Sequence, residues 1–141
     1  MAVENYITYN GDLLCDATHS PSGAVLTTDA PGDLGGKDST FSPTDLVAVG
    51  VASCVATVMG ITADREGFDI KGTRITAAKE LSTSGPLRIT RIVASITLPE
   101  GKKPLSKQDR EKLEAAARAC PVKASLHPDL DVVMTFNYPE A

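Results

Sequence analysis

A chain of 141 residues with 42% hydrophobic and 23% charged residues has the length of one domain with a single core and the balance of an ordinary soluble globular protein. A net charge of −4 with no run of Lys or Arg argues against nucleic acid as a partner, because nucleic acid selects a basic face. Trp is absent, and only three Phe and three Tyr occur, so the core is expected from Val, Ile, Leu and Ala.

In chain order, residues 6–9 favour a β-strand and Asn10-Gly11 signals a hairpin turn. A second strand is expected over 13–18, a turn at Ser20-Pro21-Ser22-Gly23, and a return strand over 24–28. Residues 30–41 carry Pro31, Gly32, Gly35 and Gly36, a density that predicts an irregular loop without a regular element. Ser42 then caps a helix, Pro43 suits its first position and Asp45 completes a Ser-x-x-Asp capping box. This helix is expected to run to about Glu66 and stop at Gly67, with Cys54 near its middle.

The uncharged run 46–63 approaches the length of a membrane span. Gly50, Ser53, Thr57, Gly60 and Thr62 moderate its hydrophobicity, and it lacks Trp or Tyr anchors and a one-sided Lys/Arg cluster. The expectation is therefore no membrane, and a core helix that is apolar all round. Strands are expected over 69–81 and 88–98, joined by the turn residues 82–86. Ser106 caps a second helix over 107–119, Cys120-Pro121 breaks it, and a short helix follows over 121–126. A strand over 132–138 closes the chain. The order defines an α+β fold in a single domain, 1–141.

Chemistry is expected from the thiols. Three cysteines without a visible secretory leader predict a reducing, cytoplasmic setting, in which a disulfide belongs to a redox cycle. Cys54 lies in the uncharged helix, where burial raises a thiol pKa; it is either a small buried hydrophobe or a nucleophile with a cation or donor nearby. Cys120 precedes the short helix opened by Pro121, and free backbone N–H groups there would depress its pKa. Cys15 sits in an alternating strand and reads as structural. His19 and His127 are both in turn-like settings without metal or triad spacing, so neither a metal nor a bound cofactor is expected.

Gly35-Gly36-Lys37, the run Phe41-Ser42-Pro43-Thr44-Asp45-Leu46, the Cys54 helix, Ala119-Cys120-Pro121-Val122, Ser125-Leu126-His127-Pro128 and the strand 132–136 follow one another over nearly the whole chain. In that order and spacing they resemble the OsmC/Ohr family. The resemblance implies antiparallel sheets around a long buried central helix, and an intertwined homodimer with its sites at the subunit interface. It implies a thiol-dependent reductase of organic hydroperoxides or hydrogen peroxide. In it Cys54 is the nucleophile, Cys120 the resolving thiol, and an external dithiol the reductant. Strongly active relatives carry Glu just after the helix-opening Pro and Arg in the preceding loop. Here Thr44 and Asp45 follow Pro43, and Lys37 is the one cation of loop 30–41, so Lys37, Thr44 and Asp45 are the expected supporting residues, with Lys37 lowering the pKa of Cys54. Val51, Val55 and Met59 are expected to line the substrate site and to favour an organic peroxide. The rival from another class is a small-ligand-binding or redox-sensing protein with weak or no turnover.

Overall fold

The computed structural model describes residues 2–101 and 103–139. They fall into two compact units, residues 1–47 and 48–141, with the boundary inside the first helix.

The N-terminal unit holds an antiparallel sheet of β1 (Asn5–Gly11), β2 (Leu14–His19) and β3 (Val25–Thr28), in that order. The reversal expected at Asn10-Gly11 lies instead at Asp12 and Leu13, with φ of 55° and 65°. Two successive residues at positive φ give the tight turn whose twist matches the paired strands. Gly11 (φ 84°) stays in β1 at a break in register between Tyr9 and Gly11, so its freedom serves an irregularity in the strand. The loop 30–41 is not wholly irregular either. One 3-10 turn, Gly32–Leu34, is opened by Pro31 and closed by Gly35 at φ 94°, because a turn of three residues needs only a helix-like start and a left-handed stop.

The long helix α1 (Pro43–Glu66) begins as the sequence indicates. Ser42 Oγ accepts the Asp45 N–H at 3.1 Å, and Asp45 Oδ2 accepts the Ser42 N–H at 2.9 Å, a reciprocal capping box. Gly67 ends it at φ 81°, its N–H donating to Ala63 O. The burial differs from expectation. Ala48, Val51, Val55, Met59, Thr62 and Ala63 form one buried stripe, whereas Val49 and Ile61 are exposed. By length and composition α1 is long and apolar enough to cross a membrane, and 33% of its most apolar window is buried in the single chain.

The C-terminal unit continues with β4 (Arg74–Leu81), β5 (Ile89–Thr97), α2 (Lys107–Arg118), α3 (Pro121–Ser125) and β6 (Asp131–Asn137). The strand expected from residue 69 starts five residues later. Residues 69–73 make a turn in which Ile70 O accepts both the Thr73 N–H and its hydroxyl. In this second sheet, ordered β4-β5-β6, β4 is antiparallel to β5 but β6 is parallel to it. That corrects the expectation of purely antiparallel sheets. The two helices between β5 and β6 supply the long crossover that a parallel neighbour requires. The core of this unit joins the α1 stripe to Ile92, Ala94 and Ile96 of β5, to Leu98, to Leu113 and Ala117 of α2, and to Cys120. Alternation on β5 and four-residue spacing on both helices place these side chains inward.

Candidate functional site

Cys54 and Cys120 lie sixty-six residues apart in sequence and are neighbours in the C-terminal unit. Cys54 stands on α1 beside the buried stripe and is half-buried, whereas Cys120 is fully buried; both thiols are free. Cys120 is the N-cap of α3, and its sulfur accepts the Lys123 N–H at 3.4 Å, with Pro121 at the first helical turn. The capping geometry is therefore the expected one, but its electrostatic outcome is reversed. Burial pushes the Cys120 thiol up, and hydrogen-bonding and charge interactions with Cys54 push it further; the N–H groups of Lys123 and Val122 oppose this and do not prevail. Desolvation of a thiolate outweighs two backbone donors here.

The pair is thus asymmetric. Cys54 is the thiol a solute can reach, and Cys120 is a shielded, predominantly neutral thiol waiting beside it. Arg118, two residues before Cys120, is engaged with the Glu114 carboxylate at 3.5 Å and over the Phe136 ring at 5.2 Å.

The expected substrate lining needs correction. Val51, Val55 and Met59 have no exposed surface, because they form the core stripe and have nothing left to offer a substrate. On α1 within the C-terminal unit, the residues three, four or seven positions from Cys54 and outside that stripe are Gly50, Thr57, Val58 and Ile61; Ile61 is 57% exposed. Among the described residues of the C-terminal unit, cavities of about 340–420 Å³ are lined by other residues than Cys54 and Cys120.

The remaining expected site residues belong to the N-terminal unit. Thr44 Oγ1 lies 3.2 Å from Ser42 Oγ, and Asp45 closes the capping box. The Lys37 side chain is exposed, while its N–H donates to Asp29 Oδ2 at 3.4 Å. Cys15 sits on β2 opposite Tyr9 and Thr28. His19 contacts Ser22 Oγ, and His127 accepts the Asp129 N–H, both within local turns. Among the described residues no group of three or more His, Cys, Asp or Glu could hold a metal ion.

Sequence reasoning passed over Asp29, which organises the loop that carries Lys37. Only 2% exposed, its carboxylate accepts the Ser39 hydroxyl at 2.6 Å, the Ser39 N–H at 3.1 Å, the Ala30 N–H at 2.8 Å and the Lys37 N–H. The Ser39 hydroxyl, then its N–H, hold the Asp29 pKa below its ordinary value against the effect of burial. Gly36 completes the loop: a side chain there would collide with the Ala30 backbone, so Gly36 is a packing requirement, whereas Gly35 serves its positive φ of 94°. An Asp at a strand end before a Gly/Pro-rich loop was the available signal.

The sequence profile of the OsmC-like protein family matches residues 36–135. The chain belongs to that family. A solved protein from Psychrobacter arcticus 273-4, named for a provisional role in osmotic stress and the detoxification response, is 34% identical; the match covers 99% of this chain and 97% of that one, with a TM-score of 0.87. An organic hydroperoxide resistance protein OsmC from Legionella pneumophila, also titled a predicted redox protein, shares the fold at 16% identity, with 97% of each chain covered and a TM-score of 0.75. An organic hydroperoxide resistance protein from Elizabethkingia anophelis does so at 16% identity, 99% and 97% coverage and a TM-score of 0.76. Among curated proteins none matches.

Proposed function

We propose that this chain is a thiol-dependent peroxidase for organic hydroperoxides. The observation that carries the reading is the adjacency of an accessible Cys54 and a buried Cys120 in a chain of the OsmC-like family. The Cys54 thiolate attacks the terminal oxygen of ROOH, the O–O bond breaks, and RO⁻ leaves and takes a proton to become the alcohol. Cys54 is left as sulfenic acid. Cys120 attacks that sulfur, a Cys54–Cys120 disulfide forms, and water departs. An external dithiol then reduces the bridge by exchange and is itself oxidised. No bound cofactor takes part.

The asymmetry of the pair suits these roles. A resolving thiol kept neutral by burial does not compete for peroxide, and it becomes useful only when its neighbour is oxidised. Val58 and the exposed Ile61 give the approach to Cys54 an apolar flank that favours an alkyl or aryl peroxide over hydrogen peroxide. Lys37, Thr44 and Asp45 enter the proposal through the family resemblance, with Lys37 as the cation that activates Cys54. The proposed assembly is a homodimer, and a reducing cytoplasm is the proposed compartment.

Consumption of cumene hydroperoxide with dithiothreitol tests the reading. Sustained turnover that is lost in Cys54→Ser supports it. One observation favours a second reading: loop 30–41 has no arginine and position 44 is Thr. A redox-sensing or ligand-binding protein would form the disulfide once and turn over no faster than free thiol.

A further inference from the structure

At the start of α2, a cavity of about 340 Å³ opens in the C-terminal unit, with Lys103, Arg110 and Asp69 as its charged groups. Its other walls are Ile70, Leu98, Leu105, Tyr138 and three prolines. The Arg110 guanidinium carbon sits over the Tyr138 ring, 4.4 Å from its centre. Tyr138 is itself fixed, its hydroxyl donating to Glu114 Oε2 at 2.7 Å. Arg110 Nε is fully buried and, among the described residues, has no hydrogen-bond partner. Nε has no surface open to the cavity, so the half-buried Arg110 meets a solute there through the terminal nitrogens of its guanidinium.

We propose that this cavity is a binding site for a small carboxylate with an apolar body, gripped by the fork of Arg110. Arg presents parallel N–H groups that match a carboxylate edge, and contact with an aromatic ring restrains the side chain that carries them. Two cations, Lys103 and Arg110, line the cavity against the lining carboxylate of Asp69, which accepts the Lys71 N–H at 2.8 Å. The nearby Glu114 carboxylate is engaged by the Tyr138 hydroxyl and Arg118. The apolar walls receive a short chain, and the volume lies at the small end of the range for ligand sites, about 300–1,000 Å³. The site is separate from the thiols and does not depend on the peroxidase reading. Eight helical residues, about 12 Å of rise, separate Arg110 from Arg118, and Cys120 lies beyond that end.

Titration of the full isotope-labelled chain with hexanoate, hexylamine and 1-hexanol, followed by amide chemical shifts, tests the proposal. Hexanoate should give saturable shifts at Ile70, Leu105, Arg110 and Tyr138 and leave Cys54 and Cys120 unmoved, and hexylamine should give none. Arg110→Gln should weaken hexanoate roughly tenfold or more, and Arg110→Lys, which keeps the charge and loses the fork, should weaken it less. Spectra of both variants that overlay the parent away from the cavity show that the fold is kept. Should Arg110→Gln disturb the fold, Arg110→Lys decides alone. Absent saturation, equal affinity for 1-hexanol, undiminished binding in folded Arg110 variants, or shifts centred on the cysteines would each overturn the proposal.

Discussion

The two compact units solve the problem of burial in opposite ways. Every buried hydrophobic side chain among the described residues, from Ala48 to Cys120, belongs to the C-terminal unit. The N-terminal unit buries Thr28, Asp29 and Ser42, all polar, while Tyr6, Ile7 and Tyr9 of β1 are 58–64% exposed. Residues 6 and 7 point to opposite faces of the strand, so both faces of β1 carry uncovered apolar surface. One unit is a small apolar core with Cys120 inside it and Cys54 at its edge. The other is a polar-bonded loop and an apolar sheet without a core of its own, and a sheet of this kind is stabilised by a further surface. The difference supports a proposed second copy of the chain as that surface.

The largest effect is expected at the proposed nucleophile in the C-terminal unit. Cys54→Ser should lower hydroperoxide turnover by at least about a thousandfold, since no other group replaces a nucleophile. Cys120→Ser without added dithiol should stop at sulfenic Cys54 after one turnover, and excess peroxide should carry it on to sulfinic Cys54 by mass. Next in size is the core: Met59→Ala should cost about 2–5 kcal/mol in chemical denaturation. Ile7→Ala sharpens the comparison, because Ile7 is 64% exposed in the single chain. A dimer that covers it should lose roughly 1.5–3 kcal/mol per covered side chain and shift toward the monomer in light scattering. A neutral Ile7→Ala in a particle of 14.8 kDa would leave the N-terminal sheet facing solvent.

Smaller effects test the polar economy of the N-terminal unit. The Asp29 pKa is lowered from 3.8, so its contribution to stability is complete above the usual aspartate range. It is lost as pH falls below that range toward the folded-state value. Asp29→Asn should therefore narrow the stability difference between pH 7 and pH 3. Lys37→Ala should move the alkylation profile of Cys54 to higher pH, and Lys37→Arg should preserve it. An unchanged profile would remove Lys37 from the proposed site.

Much of this was legible where the signal is local. Ser42, Pro43, Asp45 and Gly67 give the ends of α1, and Cys120-Pro121 gives the break between α2 and α3, because caps and stops are written in adjacent residues. The parallel pairing of β6 was not legible, since alternation records which side chains face inward and is silent on strand direction. Gly11 misled because its freedom serves a register irregularity while Asp12 and Leu13 make the turn. The meeting of Cys54 with Cys120 came only through family resemblance. Asp29 was missed because Ser39, its strongest partner, lies ten residues downstream with no periodicity to announce it. The elevated Cys120 thiol needed burial, which capping residues do not encode.

Mass mapping after one equivalent of cumene hydroperoxide tests the redox pairing most directly. The expected product is a single intramolecular Cys54–Cys120 disulfide, with Cys15 recovered as a free thiol and the bridge fully reversed by dithiothreitol. A dominant bridge through Cys15, or Cys54 left as sulfenic acid beside a still-reduced Cys120 in the unmutated chain, would contradict it.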